Sequence, residues 1–113
     1  MNAQQLREKL KSIVRPAPTA VTVPTLGEVH VRQFTGAELD YLVASKSDGG
    51  QLGRTELVGR ALCDEHGEPA FDMDEPGNRE LVGNLPTGDM QTIFEVVRRI
   101  NGLAGSDSPT NGG

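Results

Sequence analysis

The chain has 113 residues, the size of one small domain, with 35% hydrophobic and only 4% aromatic residues, so its core must be thin and mostly aliphatic. The 16 acidic residues outnumber 11 basic ones for a formal net charge of -5, which argues against non-specific nucleic-acid binding, since that needs a basic face. A single cysteine, Cys63, excludes an internal disulfide framework and makes a reducing cytoplasm the simplest home; no apolar run approaches the roughly 18 residues of a membrane-spanning helix or the continuous stretch of a signal peptide.

Leu6, Leu10, Ile13 and Val14 recur at helical spacing, with Arg7, Glu8, Lys9, Lys11 and Arg15 filling the other face. Pro16 and Pro18 stop this helix, because proline lacks an amide hydrogen and disfavours helix in the residue before it. Residues 1–15 are therefore expected to form a helical arm, tethered by a proline-rich linker at 16–20 to a main domain at 21–103. Val21-Thr22-Val23 and Val29-His30-Val31-Arg32-Gln33-Phe34 alternate apolar and polar, the period of a strand. Pro24-Thr25-Leu26-Gly27-Glu28 between them reads as the turn of a β-hairpin.

Thr35-Gly36-Ala37-Glu38 is a capping box, in which the threonine oxygen accepts from a first-turn amide and the glutamate reaches back. It predicts a short helix carrying Leu39, Leu42 and Val43 and ending near Lys46, followed by a mobile glycine-rich loop at 47–53. A third helix begins at Thr55 with Leu57, Val58, Ala61 and Leu62, and residues 64–68 form an acidic turn. Asp72 or Asp74 is expected to cap a fourth short helix, with Pro76 in its first turn and Leu81, Val82 and Leu85 as its apolar residues, broken by Pro86. The closing helix spans 87–101, with a stripe of Met90, Ile93, Phe94, Val97 and Ile100 turned to the core and Gly102 as its stop. Residues 104–113 lack periodicity and are rich in glycine, serine and asparagine, which predicts a disordered tail. The expected fold is α+β and helix-dominated, a small N-terminal β-hairpin followed by several short helices and a closing amphipathic helix.

Charge is unevenly spread. The arm carries four basic groups against Glu8, while residues 64–80 carry seven acidic groups against Arg79. Such polarity either drives head-to-tail attraction between copies or merely solvates two faces. The candidate chemistry is sparse. His30 lies mid-strand without a second ligand nearby, and Cys63 and His66 have C-x-x-H spacing but no second pair to complete a zinc site. Asp72-Met73-Asp74-Glu75-Pro76-Gly77 starts like a calcium loop, yet Pro76 and Gly83 occupy two ligand positions. Gly49-Gly50-Gln51-Leu52-Gly53-Arg54-Thr55 echoes a phosphate loop with the spacing one residue short and arginine for lysine. No catalytic, metal or cofactor residue is expected, and the chain reads as a binding protein, not an enzyme.

One block is more specific. Leu62-Cys63-Asp64-Glu65-His66-Gly67-Glu68-Pro69-Ala70-Phe71 resembles the leucine-cysteine, acidic-turn, glycine, apolar segment of the tail assembly chaperones of long-tailed bacteriophages. There it is followed by a leucine-proline step and a closing amphipathic helix, matched here by Leu85-Pro86 and residues 90–103. The opening hairpin and Phe34-Thr35-Gly36-Ala37-Glu38 fit as well, so the resemblance covers about residues 21–103 and rests on the order of elements. It implies a protein made in the host cytoplasm that coats the tape measure protein before the tail tube polymerises and leaves before the virion is complete. It also implies self-association, and a longer frameshifted form that recruits tail tube protein. The proline-tethered first helix and the extended acidic turn depart from the simplest family pattern.

A binding role of this kind needs apolar anchors that pack poorly within one copy. The candidates are Leu6, Leu10 and Ile13 on the arm, for contacts between copies, and Leu39, Leu42, Leu81 and Leu85 in the domain, for the tape measure protein. Acidic residues 72–75 would form a rim around them. The alternative from a different class is a structural tail component, such as a completion or connector protein, retained in the virion. A third is a small host regulator that binds another protein.

Overall fold

The computed structural model describes residues 1–45 and 53–103. The expected tail and most of the glycine-rich loop lie outside them. Among the described residues, five helices accompany one three-stranded antiparallel sheet, so the fold is α+β and helix-dominated. The elements in chain order are α1 (Ala3–Lys11), β1 (Thr19–Val23), β2 (Gly27–Val31), α2 (Gly36–Ser45), α3 (Arg54–Ala61), β3 (Leu62–Cys63), α4 (Pro76–Gly83) and α5 (Thr87–Ile100).

The arm helix α1 begins in a capping box, with the Asn2 side chain accepting from the Gln5 amide at 2.8 Å and Gln5 returning to the Asn2 amide at 3.0 Å. No residue of α1 is buried. The hairpin forms where alternation predicts it, with Val21 opposite Val29 and Val23 opposite Gly27. Gly27 has a φ of 77°, the left-handed conformation that closes a three-residue hairpin loop. α1 ends at Lys11 and β1 starts at Thr19, so the linker covers residues 12–18 instead of 16–20: Ile13, Val14 and Arg15 fall outside the helix expected over 1–15, and Thr19 and Ala20 join the sheet.

The second strand stops earlier than its alternation suggests. Beyond Val31 the Arg32 amide donates to the Ala61 carbonyl at 3.0 Å, and the Phe34 amide donates to the Asn101 side chain at 2.7 Å. The chain has left the ladder and is held by helix ends. The expected third helix also changes. It ends at Ala61, and Leu62 and Cys63 instead pair with Val31 and His30 as β3. The acidic turn then folds the chain back, with a bridge between Cys63 and Pro69 and the Ala70 amide donating to the Leu62 carbonyl at 3.0 Å.

The capping box of α2 is in place, with the Glu38 amide 3.1 Å from the Thr35 hydroxyl and the Thr35 amide 2.8 Å from the Glu38 carboxylate. Neither Asp72 nor Asp74 caps α4, whose cap position is Glu75 with no side-chain bond. Asp72 instead accepts from the Asp74 amide at 3.0 Å, closing a local turn ahead of the helix. Pro76 does sit in the first turn of α4. Helix α5 ends in a Schellman arrangement, with the Leu103 amide donating to Arg98 and the Gly102 amide to Arg99. Gly102 takes the left-handed conformation this stop needs.

The core lies between α5, α3 and the hairpin. Met90, Ile93 and Val97 are buried there with Val21, Val23, Val31, Leu57, Val58 and Val82. Phe94 and Ile100 only border it, so the stripe expected to be buried is narrower than its periodicity suggests. Arg98 lies over the Phe94 ring, 5.9 Å from its centroid. Two polar residues fasten α5 to the hairpin. Buried Asp89, in the first turn of α5, accepts from the Thr25 amide at 3.1 Å and from the Thr25 hydroxyl. Asn101, at its far end, accepts from Phe34 as described. A second buried charge, Arg32, is matched by the Glu38 carboxylate at 3.0 Å and by the Arg60 carbonyl at 3.0 Å.

Replacing Asp89 with alanine leaves two donors of Thr25 without their acceptor. The expected loss is about 1–3 kcal/mol of stability, read as a lower midpoint in urea unfolding with the slope unchanged. Glu38 supplies a pH dependence. Burial opposes its ionisation, but the Thr35 amide and the Arg32 guanidinium outweigh that and hold its carboxyl below the ordinary value. Its stabilising contribution is therefore present above the unfolded carboxyl's pKa of about 4.3 and is lost as pH falls through the lower folded value. In thermal melts from neutral to acid pH, Glu38→Gln should melt lower than wild type at neutral pH, and the gap should narrow in acid.

Candidate functional site: an apolar groove beside the sheet

A groove of about 660 Å³ opens between the hairpin turn, β3 and the junction of α4 with α5. Its floor is made by Leu62, Cys63 and Val82, all buried. Val29, Phe71 and Leu85 line its sides half-buried, while Leu26 and Leu81 stand at its lips, 50% and 58% exposed. Local sequence explains each position. Leu26 sits in the three-residue hairpin loop, which holds it above the sheet. Leu81 and Leu85 flank the end of α4, and Pro86 turns the chain so that both remain beside the hairpin rather than under α5. The Thr25–Asp89 bonds keep the opposite wall in place.

The polar members of the lining are Thr25, Glu28, His30, Asp64 and Asn84, with Glu28 and Asp64 at the edge and no lysine or arginine among the described lining residues. The Glu68 and His66 amides donate to the Asp64 carboxylate at 3.0 and 2.8 Å and keep its pKa below the usual value. Asp64 thus keeps its negative charge to lower pH than an ordinary aspartate. Burial pushes the Cys63 thiol in the opposite direction, and the neighbouring Arg32 only partly offsets it, so the thiol stays protonated at neutral pH. Cys63 serves as an apolar floor residue, and its sequence neighbour His66 lies exposed on the acidic turn with Glu65.

A smaller recess of about 250 Å³ is lined by Arg32, Phe34, Ala37, Glu38, Tyr41, Leu42 and Arg60. Its two arginines are already matched, Arg32 by Glu38 and Arg60 by Glu56 and Asp74. Arg60 also lies over the Tyr41 ring at 5.5 Å. Among the described residues, no group of three or more histidines, cysteines or acids is placed to hold a metal ion.

The candidate anchors thus separate into three places. Leu81 and Leu85 come together at the groove, joined by Val29 of β2 and by Leu26 and Phe71, which the periodicity had not singled out. Leu39 is half-buried against the core, and Leu42, at 2% exposure, is a core residue unable to meet a partner in this fold. Leu6, Leu10 and Ile13 stay on the exposed arm. The expected acidic rim also moves. Asp72 is engaged with the Asp74 amide and Asp74 with Arg60, and the groove edge is made by Glu28 and Asp64 instead. Two signals could have found the missed residues: a leucine inside a polar hairpin turn, and a phenylalanine three residues past the acidic turn.

Comparison with protein-family models, with curated proteins and with solved structures finds no match to this chain. No helix among the described residues is long and apolar enough to cross a membrane.

The buried, protonated thiol gives a direct check on the groove floor. Cys63 should react with an aromatic disulfide reagent at least about tenfold more slowly in the native protein than in denaturant. A native rate equal to the denatured one would place Cys63 at the surface.

Proposed function

We propose that this chain is a non-catalytic binding protein that takes an apolar helical segment of another protein into the groove between the hairpin turn and the α4–α5 junction. The observation that carries this reading is the groove itself. Leucines from two separate elements, Leu26 and Leu81, stay half exposed at its lips over an apolar floor. Amphipathic helices dock into such grooves by setting residues from successive turns between the lips. An exposed leucine pair around a concave apolar surface is the kind of patch that marks an interaction site.

The order of hairpin, capped helix, acidic turn, leucine-proline step and closing helix supports a narrower identity, that of a phage tail assembly chaperone. The segment held is then part of the tape measure protein, a long helical chain whose apolar stripes need cover until the tail tube forms around it. The work is done in the host cytoplasm, and the chaperone leaves before the particle is finished. A frameshifted longer form would bring tail tube protein to the same complex.

Co-expression with the tape measure protein of the phage that the reading implies tests it. The tape measure protein should become soluble and co-purify with wild type, and Leu26→Asp or Leu81→Asp should cut recovery about tenfold or more, because a charge is forced into the apolar contact. A tape measure protein equally soluble alone overturns the chaperone reading. Stoichiometric amounts of this chain in mature particles would point instead to a structural tail component.

A further inference from the structure

The same fold leaves a second apolar surface without a partner. On the arm, Leu6 and Leu10 lie at i and i+4 of α1 and Ile13 follows two residues past its end, and they are 49%, 60% and 66% exposed. A helix of nine residues with nothing buried is marginal in water, since nucleation is costly and isolated helices below about 12 residues rarely hold. The capping box and the Lys11–Glu8 pair at 3.8 Å add only tenths of a kcal/mol to about 1 kcal/mol. The arm therefore needs a surface to fold against.

The groove matches it in shape class and in charge. The arm helix carries Arg7, Lys9 and Lys11 against Glu8, with Arg15 behind it paired to Glu38 of its own copy at 3.9 Å, whereas the groove edge carries Glu28 and Asp64, and the described lining includes His30 but no lysine or arginine. The acidic turn that supplies Asp64 continues with Glu65 and Glu68. Within one copy the two surfaces stay apart, since α1 has no buried residue and the groove is open. The arm's root, however, is close by: Pro18 lies beside Gly67 of the acidic turn. The seven tether residues 12–18 reach about 24 Å when extended. Two copies that face each other through this side bring each arm within reach of the other's groove.

We infer that α1 of one copy docks in the groove of a second, with Leu6 and Leu10 against Leu26, Leu81 and Leu85 and its basic face along Glu28 and Asp64. The inference rests on the reading of the groove as a docking site and adds a resident occupant, so that self-association and partner binding compete for one surface.

Sedimentation velocity on the full-length chain, without any partner, tests it through a complementation. Leu10→Asp disables the arm and leaves the groove. Leu81→Asp disables the groove and leaves the arm. Both positions are more than half exposed, so the fold should survive, which circular dichroism checks. Wild type should associate increasingly with concentration and less at high salt. Each variant alone should associate about tenfold more weakly or worse, and an equimolar mixture should recover a 1:1 complex in which one copy lends its arm and the other its groove. Three results overturn the inference: a wild type monomeric at every concentration, either variant associating like wild type, or a mixture that stays monomeric. The co-expression experiment repeated with Leu10→Asp, whose groove is intact, keeps the two readings apart. Capture of the tape measure protein by that variant upholds the groove even if arm exchange fails.

Discussion

The fold depends on α5 being fastened to the hairpin at both ends. Asp89 holds the hairpin turn through Thr25, and Asn101 holds the chain just past β2 through the Phe34 amide. Between these points Met90, Ile93 and Val97 fill the space under the sheet. A core with few aromatics has little dispersion energy to spare for orientation, so directional bonds must set the angle at which the layers meet. They do so economically, because each is partly buried and each satisfies a backbone amide that would otherwise be stranded. The groove is a consequence. With the hairpin turn held against the first turn of α5, the leucine-proline step before α5 must pass beside the sheet, and Leu81 and Leu85 are left facing Leu26 across open space.

Charge is distributed by the same architecture. The domain's arginines are largely engaged internally. Arg32 pairs with Glu38, Arg60 with Glu56 and Asp74, Arg79 also with Glu56, and Arg98 with Glu95. Most of these pairs are partly solvated and contribute little stability each, but together they neutralise the basic groups on the α3–α4 side. The acids of the 64–68 turn are held differently. Asp64 is occupied by backbone amides, which orient it without cancelling its charge. The result is a domain that is acidic at the groove and an arm that is basic, a separation that favours association between unlike parts of two copies over association between like ones.

Much of this was legible in the sequence, and what was not has physical causes. Helices α1, α2 and α5 declare themselves through 3.6-residue periodicity, and α2 and α5 also through the cap at Thr35 and the stop at Gly102, all local features. The hairpin does so through alternation and its proline-glycine turn. β3 does not, because two residues have no period. Leu62 and Cys63 simply continue the apolar pattern of α3, and only pairing with Val31 and His30 makes them a strand. Asp89 reads as an acid in the first turn of a helix, where the macrodipole favours it, and nothing local reveals that it is buried against Thr25. The groove mixes both kinds. Leu81 and Leu85 could be named from their helix, but Leu26 and Phe71 reach it from remote parts of the chain. Leu42 shows the converse, for its spacing in α2 resembles that of Leu39 while the fold buries it.

The proposed exchange between arm and partner has its physical basis in the arm's shortness. An arm that folds only on docking must lose its own conformational freedom as it binds, and its affinity is reduced by that cost. A long partner helix, already ordered through its own packing or length, loses less and can lay more apolar residues along the groove. On this reading the arm is a cover that keeps Leu26 and Leu81 from nonspecific contact and yields to a segment that offers a longer stripe. Pro16 and Pro18 keep that arrangement in balance. They keep the stretch between the end of α1 at Lys11 and β1 from turning helical, which would fix the arm rigidly to its own domain, and their restricted backbone shortens the search for a neighbouring groove. Lengthening the arm helix would strengthen the cover until it no longer gave way, so nine residues is a length suited to a surface that must be both protected and available.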